Sequence, residues 1–117
     1  MKIVKSIAIL SLILPALAFA QTYTPRVDQR EANQERRIDQ GVASGSLTQR
    51  EANRLERGQQ HVENMEARAK ADGVVTRGER ARLHQAQDVQ SRRIYNQKHD
   101  RQHDYNHNGR VDRPHRR

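Results

Sequence analysis

The 117-residue chain has no cysteine and no tryptophan, one phenylalanine and three tyrosines. Large apolar groups are scarce as well. Of its hydrophobic residues, 15 fall in the first 20 positions and 24 in the remaining 97. So few large side chains cannot enclose a deep core, which argues against a pocket-forming enzyme. No thiol is available as a nucleophile, a soft metal ligand or half of a disulfide. Runs of β-branched residues are missing, so strands are not expected. There is no Gly-x-Ser-x-Gly elbow, no phosphate-binding loop and no His-Glu-x-x-His, and the expectation is a protein that is not an enzyme.

The hydrophobic start reads as a secretory signal. Lys2 and Lys5 precede an apolar run from Ile7 to Leu14, and Ala18-Phe19-Ala20 is a small-x-small cleavage site. The run is short for a membrane span. Positions 1–20 are therefore expected to be removed, with the mature chain exported to the periplasm or secreted. Cleavage removes two lysines and no acid, which takes the formal charge from +8 to +6. Eighteen of the 20 remaining cations are Arg, interleaved with Glu, Asp and Gln as on a solvated helix surface. An acidic protein or envelope polyanion is a candidate partner for such a chain. With three tyrosines to stack bases, and with export, nucleic acid is not the expected one.

The rest is rich in Gln, Arg, Glu and Ala, and helices are expected throughout. Thr24-Pro25 suits a helix start, followed by a helix over 25–42 with Val27, Ala32 and Ile38 as its apolar positions. Thr48-x-x-Glu51 and Thr76-x-x-Glu79 are capping boxes. They open a second helix over 49–71, with a stripe of Leu55, Val62, Met65 and Ala69, and a third from 77 to about 99. The third has Leu83, Ala86, Val89 or Gln90, and Ile94 on its face. Isolated His61 and His84 are expected at the surface. The fold class is all-α: a small bundle of about three helices over 21–103, with a flexible polar tail over 104–117.

The turns repeat. Gly45-Ser46-Leu47-Thr48-x-x-Glu51 and Gly73-Val74-Val75-Thr76-x-x-Glu79 share Gly-x-aliphatic-Thr-x-x-Glu at an offset of 28 residues. Gln-Arg-Glu-Ala-Asn occurs at 29–33 and again at 49–53. Such repetition indicates stacked helix–turn–helix units. The repeat resembles the second half of an EF-hand calcium loop, whose sixth place is a turning glycine and whose twelfth is a bidentate glutamate. Gly45, Thr48, Glu51, Gly73, Thr76 and Glu79 match. The oxygen-bearing first half is lost: Gln40, Val42 and Ser44 stand there in one turn, and Arg68, Lys70 and Asp72 in the other. These are degenerate EF-hand-like turns that keep the cap.

The tail supplies the missing half. Asp104-x-Asn106-x-Asn108-Gly109-x-Val111-Asp112 resembles the first nine places of the same loop, with oxygens at places one, three, five and nine. His115 stands where the loop's final glutamate would be. The resemblance implies a weak calcium site on Asp104, Asn106, Asn108 and Asp112. A second chemistry lies in the imidazoles. His99, His103 and His107 are spaced four apart; with His99 and His103 on the last turns of the third helix, an i, i+4 pair would share one face, and with His107 and His115 they offer nitrogen ligands to zinc, copper or nickel. Taken whole, the sequence resembles small exported bacterial helical proteins with EF-hand-like units. The function expected is binding of a divalent metal ion through the C-terminal loop and histidines, and the alternative is an Arg-rich protein that binds an acidic envelope partner.

Overall fold

The structure is a computed structural model that describes residues 23–113. The expected signal at 1–20 and His115 lie outside the described residues. Three helices account for most of the described chain: α1 (Pro25–Ser44), α2 (Gln49–Lys70) and α3 (Arg77–Lys98). Each packs against the other two, giving an all-α bundle with no strand among the described residues. None of these helices is long and apolar enough to cross a membrane.

The helix starts follow from the local sequence. Thr48 Oγ1 accepts the Glu51 amide at 3.3 Å, and Glu51 Oε2 accepts the Thr48 amide at 2.9 Å. Thr76 and Glu79 make the same reciprocal pair at 3.2 and 2.8 Å. Two orphan backbone donors are satisfied at each start. At α1, Pro25 occupies the first turn and Thr24 precedes it, but the Thr24 hydroxyl donates to Glu66 on α2 instead of capping its own helix.

The buried positions alternate in steps of four and three. On α2 they run Ala52, Leu55, Gln59, Val62, Glu66 and Ala69, with Glu51 also buried in the helix cap, and on α3 Leu83, Gln87, Gln90 and Ile94. On α1 they are Val27, Gln34, Ile38 and Gly41, with half-buried Glu31 completing the series. That is the 3.5-residue period of a helical seam. The sequence reading placed Ala32 on the core face of α1, but Ala32 is exposed and Gln34 is buried in its stead. Ala86 and Val89 are only half-buried, whereas Gln87 and Gln90 are fully enclosed. Of the two alternatives on the third helix, Gln90 and not Val89 is buried, while Gln34 and Gln87 escape a count of apolar residues.

The apolar residues form two separate clusters. Ile38, Leu47, Ala52, Leu55 and Ile94 pack at the end where α1 turns into α2. Val27, Ala69, Val75 and Leu83 pack at the opposite end. Between them lies a belt of glutamines. Gln34 Nε2 donates to the Gln87 carbonyl at 2.8 Å, and Gln87 Nε2 donates to the Val27 carbonyl at 2.9 Å. Gln90 Nε2 reaches the Leu55 carbonyl at 2.7 Å, and Gln59 Nε2 the Glu31 carbonyl at 3.3 Å. Every helix pair is thus tied by at least one side-chain amide. The four amide oxygens have no partner among the described residues. Gly58 makes room for one of these ties, since a Cβ there would stand 2.3 Å from Gln90 Oε1.

A buried acceptor without a partner is costly, and an apolar isostere removes that cost while leaving no donor stranded. Gln87→Met is therefore expected to raise unfolding stability by about 1 kcal/mol in urea titrations. Gln87→Ala is expected to lower it by about 1–3 kcal/mol through the cavity left behind. If methionine destabilises as much as alanine, the amide bonds supply net stability and this reading of the belt is wrong.

Candidate metal centre

The chain beyond α3 is non-helical, as its composition predicts, but it is joined closely to the bundle. The Asp104 amide donates to the Gly45 carbonyl at 2.8 Å, and Asp104 is buried. Gly45 is left-handed, with φ 77°, and closes α1. A Cβ at Gly45 would stand 2.7 Å from both the Asp104 carbonyl oxygen and the Tyr105 Cα. The tail thus begins against the bare backbone of the first repeated turn.

From Asp104 to Asp112 the chain curls around its own oxygens. Asp104 Oδ1 accepts the Asn108 amide at 3.0 Å and Oδ2 the Gly109 amide at 2.9 Å. Asn106 Oδ1 also accepts the Asn108 amide, and Asn108 Oδ1 accepts the Arg110 amide at 2.8 Å. Asp112 closes the ring, its carboxylate accepting the Tyr105 amide at 2.6 Å and the Asn106 side-chain amide at 2.8 Å. The Asp112 amide donates to the His103 carbonyl at 2.7 Å. Turning this tightly takes positive φ at His107 (55°) and Gly109 (77°). Asp104, Asn106, Asn108 and Asp112 therefore belong to one hydrogen-bonded loop, with two carboxylates and two amide oxygens as hard donors.

The histidines are arranged differently. A shared helical face for His99 and His103 needs continuing helix, but α3 ends at Lys98, with His99 as its cap. The His99 ring stacks on Tyr95, with centroids 4.0 Å apart, and its Nδ1 lies 2.7 Å from the Tyr95 carbonyl. The His103 ring stacks on Tyr105 at 4.8 Å, and its buried Nδ1 has no partner among the described residues. His107 is exposed. Among the described residues, these imidazoles do not gather into a set of three ligands. His61 and His84 are exposed, as expected.

The two degenerate turns keep their backbone form, with φ 77° at Gly45 and 82° at Gly73. Their glutamates serve the helix caps. Burial raises the Glu51 carboxyl above its ordinary pKa; the Thr48 cap opposes this and the nearby Asp100 carboxyl adds to it.

At the far end of the bundle stands a group that pattern reading missed. Ligand oxygens of Asp28, Glu31 and Glu66 lie within 4.8 Å of one another. Lys70 already serves them, its Nζ 2.6 Å from Glu66 and 3.8 Å from Asp28. Burial pushes Glu66 upward, but the Lys70 ammonium and the Thr24 hydroxyl outweigh it and hold Glu66 below the ordinary range. Glu31 is pushed up to about 7, first by burial and then by Glu66, Glu63 and Asp28. The trio was findable in principle, because an antiparallel α1–α2 hairpin turning near residues 45–48 brings Asp28 opposite Glu66.

In comparisons with protein-family models, curated proteins and solved structures, nothing matches this chain.

Two outcomes follow from this geometry. Gly45→Ala and Gly73→Ala carry the same left-handed backbone penalty, about 1–2 kcal/mol, but a Cβ at Gly73 meets nothing within 4 Å. Only Gly45→Ala is expected to speed exchange of the Asp104 amide in hydrogen-exchange measurements; equal effects would mean that the tail is not seated on Gly45. The second concerns pH. Glu31 keeps its proton longer when folded than when unfolded, so its ionisation removes stability as pH rises from about 4.5 to about 7. Relative to Glu31→Gln, the wild type is expected to lose about 1–2 kcal/mol across that window, allowing for screening of a half-buried group. Parallel stability curves for the two proteins would contradict this.

Proposed function

We propose that this chain is a small exported, non-enzymatic protein that binds a divalent cation of the calcium type in its C-terminal loop. The observation that supports the reading is the ring of side-chain oxygens over 104–112, with the buried Asp104 carboxylate at its focus. The order of residues is that of the first nine places of an EF-hand loop, and both the left-handed glycine at the sixth place and the docking on the first repeated turn agree with such a unit. Two carboxylates and two amides give few charges to a hard cation. The affinity expected is in the range of weak extracellular sites, a Kd of about 10⁻⁴–10⁻³ M. Oxygen donors are the basis of the preference, since the imidazoles of His99 and His103 lie against tyrosine rings. Export is inferred from the leader-like first 20 residues.

The test is calorimetric titration of the protein with calcium and, separately, with zinc. Calcium binding is expected in the wild type and in His99→Ala/His103→Ala, and to be lost in Asp104→Asn/Asp112→Asn. Zinc binding that is lost with the histidines, in a protein that ignores calcium, would replace the oxygen site with an imidazole one. No binding of either metal would end the reading.

A further inference from the structure

The charges on the bundle are sorted by groove. Between α1 and α2 runs a groove of about 210 Å³ edged by Glu35, Asp39, Glu56 and Glu63, with no cation in its wall. Between α2 and α3 runs one of about 330 Å³ with no carboxylate in its wall. Val62, Met65, Ala86 and Val89 give it an apolar lining, interrupted by the buried Gln90. Arg82 and Arg93 edge it, and both are exposed and without an ion pair among the described residues.

The excess of positive charge has a local origin. Helix α3 carries six Lys and Arg residues against two acids. Of those acids, Asp88 is bound to Arg30 on α1, and Glu79 is engaged in its own helix cap. Asp88 is thereby turned away from the groove, and Glu79 stands beyond its end, in the wall of an adjoining hollow that Arg82 also lines.

We propose that the α2–α3 groove docks an amphipathic acidic helix from a partner protein, laid as a fourth helix over the half-buried Met65, Ala86 and Val89. Half-buried apolar side chains between two helices accept the ridge of another. The unpaired arginines select for carboxylates flanking that ridge and against a cationic partner. A polyanion without an apolar face would leave the floor uncovered, so a protein helix fits better than a charged polymer. The inference is independent of the cation site, which lies in the tail.

The probe is a labelled synthetic peptide with leucines at helical spacing on one face and glutamates on the other, followed by fluorescence anisotropy. Its controls are a scrambled peptide of the same composition and polyglutamate. Saturable binding is expected for the amphipathic peptide alone. Arg82→Glu/Arg93→Glu should weaken it about tenfold or more, with Arg82→Gln/Arg93→Gln intermediate and Arg36→Glu, on exposed α1 surface, without effect. Val89→Asp should weaken it even at high salt. Absent binding overturns the proposal, as does polyglutamate or the scrambled peptide binding equally well. It also fails if the groove joins copies of this chain, seen as self-association that Val89→Asp abolishes in a protein that ignores the peptide.

Discussion

Between the two apolar clusters, Gln34, Gln59, Gln87 and Gln90 each donate a side-chain amide hydrogen to a carbonyl on a neighbouring helix. Apolar contacts alone set no alignment along a helix, because a slide by one heptad buries similar surface again. A directional bond to one particular carbonyl does set it. Buried polar groups of this kind fix register at a cost in stability. The chain has too few large apolar residues to fill the middle of the bundle, and the glutamines occupy that length while aligning the helices.

Register then determines both ends. With Gln59 set against α1, the antiparallel hairpin brings Asp28 and Glu31 to Glu66, and Lys70 and Thr24 complete the cluster. At the other end, Gly41 leaves space for Leu47 to fold back, its amide bonded to the Gly41 carbonyl at 2.9 Å. That return exposes the Gly45 backbone to the tail. The seat on which Asp104 rests is therefore a product of the turn. The two repeated turns share a backbone form but differ in use: one receives the oxygen-bearing loop, and the other has open space beside its glycine.

Much of the fold was legible because it is written in local chemistry. Pro25, the two Thr-x-x-Glu boxes and the glycines at 45 and 73 mark helix ends to within a residue or two. The core was legible only in part. Gln34 and Gln87 look like surface residues to any reading based on hydropathy, and only the 3.5-residue spacing puts them inside. The loop over 104–112 was legible from its Asp-x-Asn-x-Asn-Gly order. Its attachment to Gly45 was not, because the contact joins two backbones and leaves no trace in residue type. Pairing His99 with His103 on one face takes a helix one turn longer than the chain forms. The charge sorting between grooves was hidden too, since cations and acids alternate along the sequence and separate only in three dimensions.

If the loop is a cation site seated on the first repeated turn, binding must be felt on both sides of the contact. Amide hydrogen exchange, residue by residue, with and without calcium, is the direct measurement. Exchange should slow at 104–112 and also at 41–48, while 72–76 in the second turn stays unchanged. Slowing confined to the tail, or none in either segment, would contradict the account.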